Sequence, residues 1–380
     1  MIPRVLGRKG KVGYYKYRKN AKTGGERMRK GKRLVAWIMA VVMLFTICVF
    51  GGNGTAEAAA TTPVAKHGRL SVKGADLVDN KGNKFQLRGI STHGINWDVG
   101  SPYVNKKAFK TLRDDWGVNA IRLAMYTEEY NGYCSGDSQA KLRKLVDKGV
   151  GYATDLGMYA IIDWHILSDG NPNKNKSQAK KFFTTMAKKY KNNKNVIYEI
   201  CNEPNGCSWK EIKSYATDII KTIRKYDKKA VIIVGTPTWS QLGTDGTSNE
   251  VADSPIKGYK NIMYSLHFYA SEWAHNEYLP AKVAYARKKK LPILVSEFGL
   301  SPASGDGAIN KASADKWMKL LNKYNISYFC WSLSNKNESA SLLKPSTKKT
   351  SGWKSGDLST AGKYIKKKYL ARKKALGKKA

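Results

Sequence analysis

Eight short apolar, β-branched runs, each followed by a longer amphipathic stretch rich in Lys, Ala and Leu, predict an α/β fold: a (β/α)8, or TIM, barrel. Two further observations support it. The repeat length of about 30–35 residues suits one strand, one helix and two loops. Polar and aromatic residues also gather at the C-terminal ends of the runs, where such a barrel carries its chemistry. A doubly wound sheet is the alternative. It lacks the G-x-G-x-x-G turn after its first strand.

Residues 1–60 read as a targeting segment. A basic, Gly-rich stretch precedes the apolar run Leu34–Phe50, and Ala56–Ala60 follows with small residues at A-x-A spacing. That order is a secretory signal. Met28 opens a conventional basic region of its own and is an alternative start. The 17 apolar residues also reach the lower limit of a membrane span, so an uncleaved anchor competes with a cleaved signal. Export follows from both.

Residues 61–370 form the expected barrel domain. A short N-terminal β-hairpin opens it over 69–88, with Leu77-Val78 and Phe85-Gln86-Leu87 flanking the turn residues Asp79–Asn83. The barrel strands are expected at Gln86–Ile90, Asn119–Met125, Met158–Asp163, Val196–Ile200, Ala230–Val234, Ile262–Leu266, Leu291–Ser296 and Ile326–Trp331. Helices are expected at Ala140–Leu156, Ala179–Tyr190, Trp209–Tyr226, Ala312–Tyr324 and Gly362–Leu370. Residues 371–380 are expected to be a basic, solvated tail.

Charge sets this chain apart. Lys and Arg number 68 against 29 acids, a net +39. Such a field attracts polyanions and speaks to association, not fold. No nucleic-acid module is recognisable, so nucleic acid is not an expected partner. The basic tail suggests electrostatic adhesion to an anionic cell wall. Cys134, Cys201, Cys207 and Cys330 are too few for a disulfide scaffold, and no C-x-x-C occurs. One bridge is possible, with its pairing open. His93, His165 and His267 lack metalloprotease spacing, so neither a catalytic metal nor a cofactor is expected.

The chemistry lies in two strand ends. Apolar Ile197–Ile200 leads to Asn202-Glu203-Pro204, and apolar Ile293–Val295 leads to Glu297-Phe298-Gly299. A carboxylate ending a buried strand is costly unless it is paired or neutral. On the fourth and seventh barrel strands the two would face each other. Carboxyls about 5 Å apart suit a retaining glycosidase: one protonates the leaving oxygen, the other attacks the anomeric carbon. Arg122 is placed to keep one of them ionised. Trp97, Trp164, Trp239 and Trp331 sit near strand ends, where flat rings can stack on sugars; Trp97 and Trp331 fit that role best, whereas Trp164 is equally suited to the core.

Trp164-His165, Asn202-Glu203-Pro204, His267-Phe268-Tyr269, Ser296-Glu297-Phe298-Gly299 and Trp331-Ser332-Leu333 together resemble the family-five glycoside hydrolases, bacterial endoglucanase subgroup, over roughly residues 68–370. The resemblance implies a monomeric endo-β-1,4-glucanase acting on β-1,4-glucan. Glu203 would be the acid/base and Glu297 the nucleophile. Arg122 and Tyr269 would orient Glu297, His165 and His267 would bind sugar or support Glu203, and Asn202 would contact the sugar 2-OH. His93, Trp97, Tyr126, Trp239, Trp331, Lys336 and Glu338 would line the subsites. Asp98–Tyr103 departs from the family's pattern. Within the class, a mannanase or a mixed-linkage or xyloglucan glucanase is the alternative; outside it, a non-catalytic glycan-binding barrel.

Overall fold

The computed structural model describes residues 62–136 and 138–377. The predicted leader, with Met28 and Leu34–Phe50, lies outside the described residues. An antiparallel pair comes first, β1 (Ser71–Lys73) with β2 (Asp76–Val78). Eight parallel strands follow: β3 (Arg88–Thr92), β4 (Ala120–Tyr126), β5 (Tyr159–His165), β6 (Val196–Glu199), β7 (Ile232–Val234), β8 (Ile262–Tyr269), β9 (Ile293–Gly299) and β10 (Tyr328–Leu333). They pair in chain order, and β10 returns to β3 to close the barrel. Each overlaps one predicted run. Several extend two or three residues beyond it, because polar residues such as His165, His267 and Glu297 still belong to the strand.

Strands buried on both faces explain the near-continuous apolar runs. One face fills the barrel interior: Ala120, Tyr159, Ile161, Ile197, Ile233, Met263, Leu294 and Phe329 meet there. The other packs on the surrounding helices, as Ile121, Ile162, Tyr198, Ile232 and Val295 do. Neighbours such as Ile161 and Ile162 therefore belong to different layers, the period-two consequence of a pleat.

The hairpin lies slightly earlier than expected. Its regular pairing spans Ser71–Val78, and the Asp79–Asn83 turn forms after it, with the Asp79 carboxylate accepting from the Lys81 and Asn83 amides at 2.9 Å each. The outgoing arm makes only the Val78–Lys84 bridge. Phe85 and Leu87 instead join Leu70 and Leu77 in plugging the base of the barrel. Burial of these apolar groups, worth about 2 kcal/mol per large side chain, outweighs further ladder bonds. The Tyr159 hydroxyl fastens the plug by donating to the Gly68 carbonyl at 2.7 Å.

Seven helices longer than ten residues are seen among the described residues: α1 (Lys106–Trp116), α2 (Gln139–Asp155), α3 (Lys176–Tyr190), α4 (Trp209–Arg224), α5 (Trp273–Lys288), α6 (Lys311–Lys323) and α7 (Thr360–Gly377). Their starts are chemically marked. Asn105 accepts from the Ala108 amide at 2.7 Å to cap α1, and Ser208 with Glu211 forms a capping box on α4. Between β7 and β8 stand only the single turns Pro237–Ser240 and Glu250–Asp253. Helix α7 carries on through Gly377, so most of the stretch expected as a solvated tail is helical. Two contacts explain it: Arg372 Nε donates to Gln86 Oε1 at 2.8 Å, and the Tyr369 hydroxyl to the Gly89 carbonyl at 2.8 Å. All four cysteines of the barrel are free thiols.

One close approach is set by glycine. A Cβ on Gly89 of β3 would stand 2.0 Å from the Phe329 ring on the adjacent β10. Gly89→Ala should destabilise the barrel by about 1–3 kcal/mol, measured by chemical denaturation. Adding Phe329→Leu should return part of that loss. Strictly additive effects of the two substitutions would refute the clash.

Candidate active site

At the C-terminal mouth of the barrel, β4 delivers Arg122 into the interior, where it is wholly buried. Its guanidinium meets Glu199 at 2.7 Å, Asp163 at 3.0 Å and Glu297 at 3.0 Å, and donates to Asn202 Oδ1 at 2.5 Å. One cation thus serves three carboxylates. Burial alone would lower its pKa; the three carboxylates hold it above the ordinary value. The surplus negative charge has to go elsewhere. Burial pushes Asp163 up to about 7 and raises Glu199 as well, against the pull of Arg122.

Glu297 ends β9. Each of its carboxylate oxygens is held: Oε2 by Arg122 and Oε1 by the Tyr269 hydroxyl at 2.7 Å. Glu203 follows β6 and is built differently. Its side chain is 13% exposed, so one face is open to the cleft, and His267 Nδ1 lies 2.8 Å from Oε1. Burial raises its pKa to about 8, with Asp163 and Glu199 adding to the rise and Arg122 opposing it. Burial also lowers His267 to about 4, so this contact joins a neutral ring to a carboxylic acid near neutral pH rather than forming an ion pair. His165 Nδ1 lies 2.6 Å from Asp163, but burial lowers this ring too, to about 3; it is a neutral hydrogen-bond donor. One oxygen of Glu203, one of Glu297 and a nitrogen of His267 lie within 4.8 Å of one another. Such a trio could hold a metal, yet its atoms already have hydrogen-bond partners: His267 joins Glu203 and Ser296, and Glu297 joins Arg122 and Tyr269.

The pair opens into a cleft of about 580 Å3. Every residue expected to line subsites lies there: His93, Trp97, Tyr126, Trp239, Trp331, Lys336 and Glu338. Trp331 stacks on His165, centroids 5.3 Å apart and planes 19° off parallel, and Trp97 lies 4.6 Å from Tyr126. Glu338 is bridged to Lys336 at 2.5 Å and keeps Oε1 buried without a hydrogen-bond partner. Burial lowers His93, 3.7 Å from Glu338, to about 3.

Trp239 reaches the cleft at a backbone cost. Thr238, Trp239 and Ser240 have φ of 55°, 53° and 63°, left-handed values that cost L residues about 1–2 kcal/mol each. The Ser240 hydroxyl holds the turn by donating to the Asn202 carbonyl at 2.6 Å, and the Trp239 amide donates to the Pro204 carbonyl at 3.1 Å. Strain of this kind collects where a side chain has to be presented. The turn is tied directly to the segment carrying Glu203.

Some expected residues stand elsewhere. Asn202 is fully buried, its amide donating to the Ile166 carbonyl at 3.0 Å and lying 3.2 Å from His165 Nε2. Trp164 packs among Tyr133, Phe182 and Phe183, in the core. Asp98–Tyr103 does not line the cleft; Tyr103 is buried 6.2 Å from Trp353. Conversely, Glu129, Gln241, Glu272 and Ser304 line the cleft and were not singled out in the sequence. Glu129 lies three residues past Tyr126, so reading further beyond each strand end would have found it. Glu199 had a clearer signal, a charge inside the apolar run Ile197–Ile200.

The sequence profile of the cellulase family, glycosyl hydrolase family 5, matches residues 78–337. The chain is 47% identical to an endoglucanase of Clostridium saccharobutylicum over 341 residues, covering 88% of this chain and 72% of that one. It is 44% identical to endoglucanase N of Pectobacterium atrosepticum, covering 85% and 70%. Among solved structures, the catalytic domain of a Thermobifida fusca endoglucanase superposes with a TM-score of 0.75 at 37% identity, covering 81% of this chain and 99% of that one. A variant of that domain in complex with cellotetraose gives 0.74 at 36% identity, with coverage of 81% and 99%. With most of its barrel matched by the family profile and its two strand-end glutamates sharing one cleft, the chain belongs to glycoside hydrolase family 5.

Proposed function

We propose that this enzyme hydrolyses internal β-1,4-glucosidic bonds of cellulose or β-glucan with retention, using Glu203 as acid/base and Glu297 as nucleophile. The observation that carries the reading is the contrast between two carboxyls whose oxygens lie within 4.8 Å. Separations of about 5 Å leave no room for an intervening water, so the second carboxylate attacks directly. Arg122 and Tyr269 cradle Glu297 as an anion, while burial keeps Glu203 protonated.

The steps follow from that division. With His267 Nδ1–H donated to Glu203 Oε1, the acidic proton stands on Oε2, and His267 Nε2 accepts from the Ser296 hydroxyl. Glu203 gives this proton to the glycosidic oxygen as Glu297 bonds to the anomeric carbon. The resulting Glu203 carboxylate then takes a proton from water, which attacks that carbon and releases Glu297. Asn202 is buried beside Glu203 with its oxygen on Arg122 and its amide on the Ile166 carbonyl and His165, so its amide would have to turn from these partners to meet the sugar 2-OH that the resemblance assigns to it. Trp97, Tyr126, Trp239 and Trp331 give the rings that sugar C–H faces stack on, and His93, Lys336 and Glu338 the polar contacts. The printed names of the relatives, and the cellotetraose held by a structural neighbour, favour glucan over mannan. The apolar segment Leu34–Phe50 supports export.

Glu297→Ala should bring hydrolysis of carboxymethylcellulose to background, with azide restoring cleavage as a glycosyl azide. Glu203→Ala should lose about 10²–10⁴-fold on the same polymer yet spare an aryl glycoside with a good leaving group. Near-native rates in both would refute the assignment, and activity on mannan alone would move the substrate while keeping the mechanism. The pH profile has a defined sign: Glu203 has to be protonated to act, so kcat/KM should fall as pH rises through about 8. On the aryl glycoside, Glu203→Ala should lack that alkaline limb in the glycosylation step; an unchanged limb would assign it to another group. Arg122→Ala should abolish activity and cost roughly 3–5 kcal/mol of stability by stranding buried carboxylates, read from denaturant midpoints.

A further inference from the structure

We infer that the base of the barrel, opposite the cleft, is a docking surface for a linear cell-wall polymer carrying one phosphodiester per repeat. The inference stands on the barrel's placement of charge and does not depend on which glycan the cleft cuts. Loops that leave the strands form the cleft; loops that enter them lie at the other end. Three successive entering segments carry exposed lysines: Lys228 and Lys229 before β7, Lys257 and Lys260 before β8, and Lys288 and Lys290 before β9. They are neighbours in space. Asn261 donates to the Lys229 carbonyl at 2.9 Å and Arg224 to the Lys260 carbonyl at 2.9 Å. A groove of about 340 Å3, bordered by Val72, Tyr259 and Asn261, has Lys260, Lys289 and Lys290 in its wall.

These charges are uncompensated. None of the six makes an ion pair with a described residue, and the nearby acids are already engaged: Asp253 with Lys289 at 2.8 Å, Asp76 with Lys84 and Arg287 at 2.9 and 2.7 Å, and buried Asp227 with Arg69 at 3.9 Å. Cations at helix C-termini complement the helix dipole, which accounts for Lys288. Lys257, Lys260 and Lys290 lie outside any helix, and the dipole does not explain them. Crowded like charges repel, and a polyanion relieves the repulsion while releasing its own counterions.

The residue types select the partner. The arginines here are turned inward, Arg224 on backbone carbonyls and Arg287 on Ala75 and Asp76, so the free cations are lysines. The arginine fork, which fits carboxylate and phosphate bidentately, is engaged elsewhere; the free ammonium groups act as point charges without a fixed geometry, which suits phosphodiesters spaced along a flexible polymer. A bilayer would call for apolar wedges and a nucleic acid for stacking rings. The large exposed apolar residues stand elsewhere: Tyr130, Leu167, Trp239, Trp273 and Tyr278 follow strand C-terminal ends, and Leu370 is on α7. Docking by the base would leave the cleft facing away from the wall, open to its substrate.

The test is sedimentation of the enzyme with purified bacterial walls bearing polyol-phosphate polymer, at low and at physiological salt. Wild type should bind, and walls stripped of that polymer should release it. Lys228→Gln/Lys229→Gln/Lys260→Gln/Lys290→Gln should weaken binding on the order of tenfold, with a shallower salt dependence and unchanged hydrolysis of soluble carboxymethylcellulose. The charge-matched Lys107→Gln/Lys141→Gln/Lys144→Gln/Lys180→Gln, near the helix starts at the cleft end, should bind like wild type. Equal weakening by both sets would reduce the effect to net charge and overturn the site. Retention on stripped walls, or preference for polygalacturonate or for vesicles containing phosphatidylglycerol, would overturn the partner.

Discussion

The buried guanidinium of Arg122 is the interaction on which the mouth of the barrel depends. A charge removed from water at this depth is tolerable only with compensation, and it finds three carboxylates and an amide at hydrogen-bond distance. Arg122 therefore fixes the relative positions of β4, β5, β6 and β9 at the end where chemistry is to occur. The cluster is over-supplied with negative charge: Asp163 Oδ1 and Glu199 Oε1 are buried without partners. That surplus adds to the effect of burial at the neighbouring Glu203. With burial as the main cause, Asp163 and Glu199 help hold Glu203 protonated, while Glu297 sits directly on the guanidinium.

Around this fixed electrostatic centre, the walls of the cleft are built from aromatic rings and neutral histidines packed on one another. Trp331 lies against a tilted His93 and a stacked His165, with centroids at 5.2 and 5.3 Å, and the histidines are neutral because they are buried. Neutral rings can stack and hydrogen-bond without adding cations beside Arg122. Trp239 is the exception, standing 44% exposed on a left-handed turn. Its backbone is braced by the segment that carries Glu203, so the positions of Trp239 and Glu203 are mechanically linked.

Much of this was legible in the sequence, and the misses share a cause. Strand positions came from apolar runs, but their C-terminal limits did not, because β5, β8 and β9 run on through polar groups such as His165, His267 and Glu297, whose partners are mostly distant in sequence. The helix expected at Gly362–Leu370 was stopped short of Gly377 because its lysines gave no apolar stripe past Leu370; the contacts at Gln86 and Gly89 that order its end are nearly three hundred residues away in sequence. Glu203 and Glu297 stood out as strand-end carboxylates, whereas Glu199 passed unnoticed although the network needs it. Asn202 was read for its amide, and the structure adds that its carbonyl oxygen belongs to Arg122. Long-range pairing of polar atoms is the information that pattern and spacing do not carry.

The closure of β10 onto β3 has a temporal consequence. Tyr328 pairs with Arg88 and Cys330 with Ile90, across a separation of 240 residues. Loop-closure entropy grows only slowly with length, so the completed ring is not much penalised for this distance, yet it cannot begin before the last strand exists. Until then β3 and the growing end both present raw edges, a form open to association and to proteases. Topology of this kind is slow to fold. The strand that completes the ring also carries Trp331, so closure of the barrel and the placing of this cleft residue come in one event.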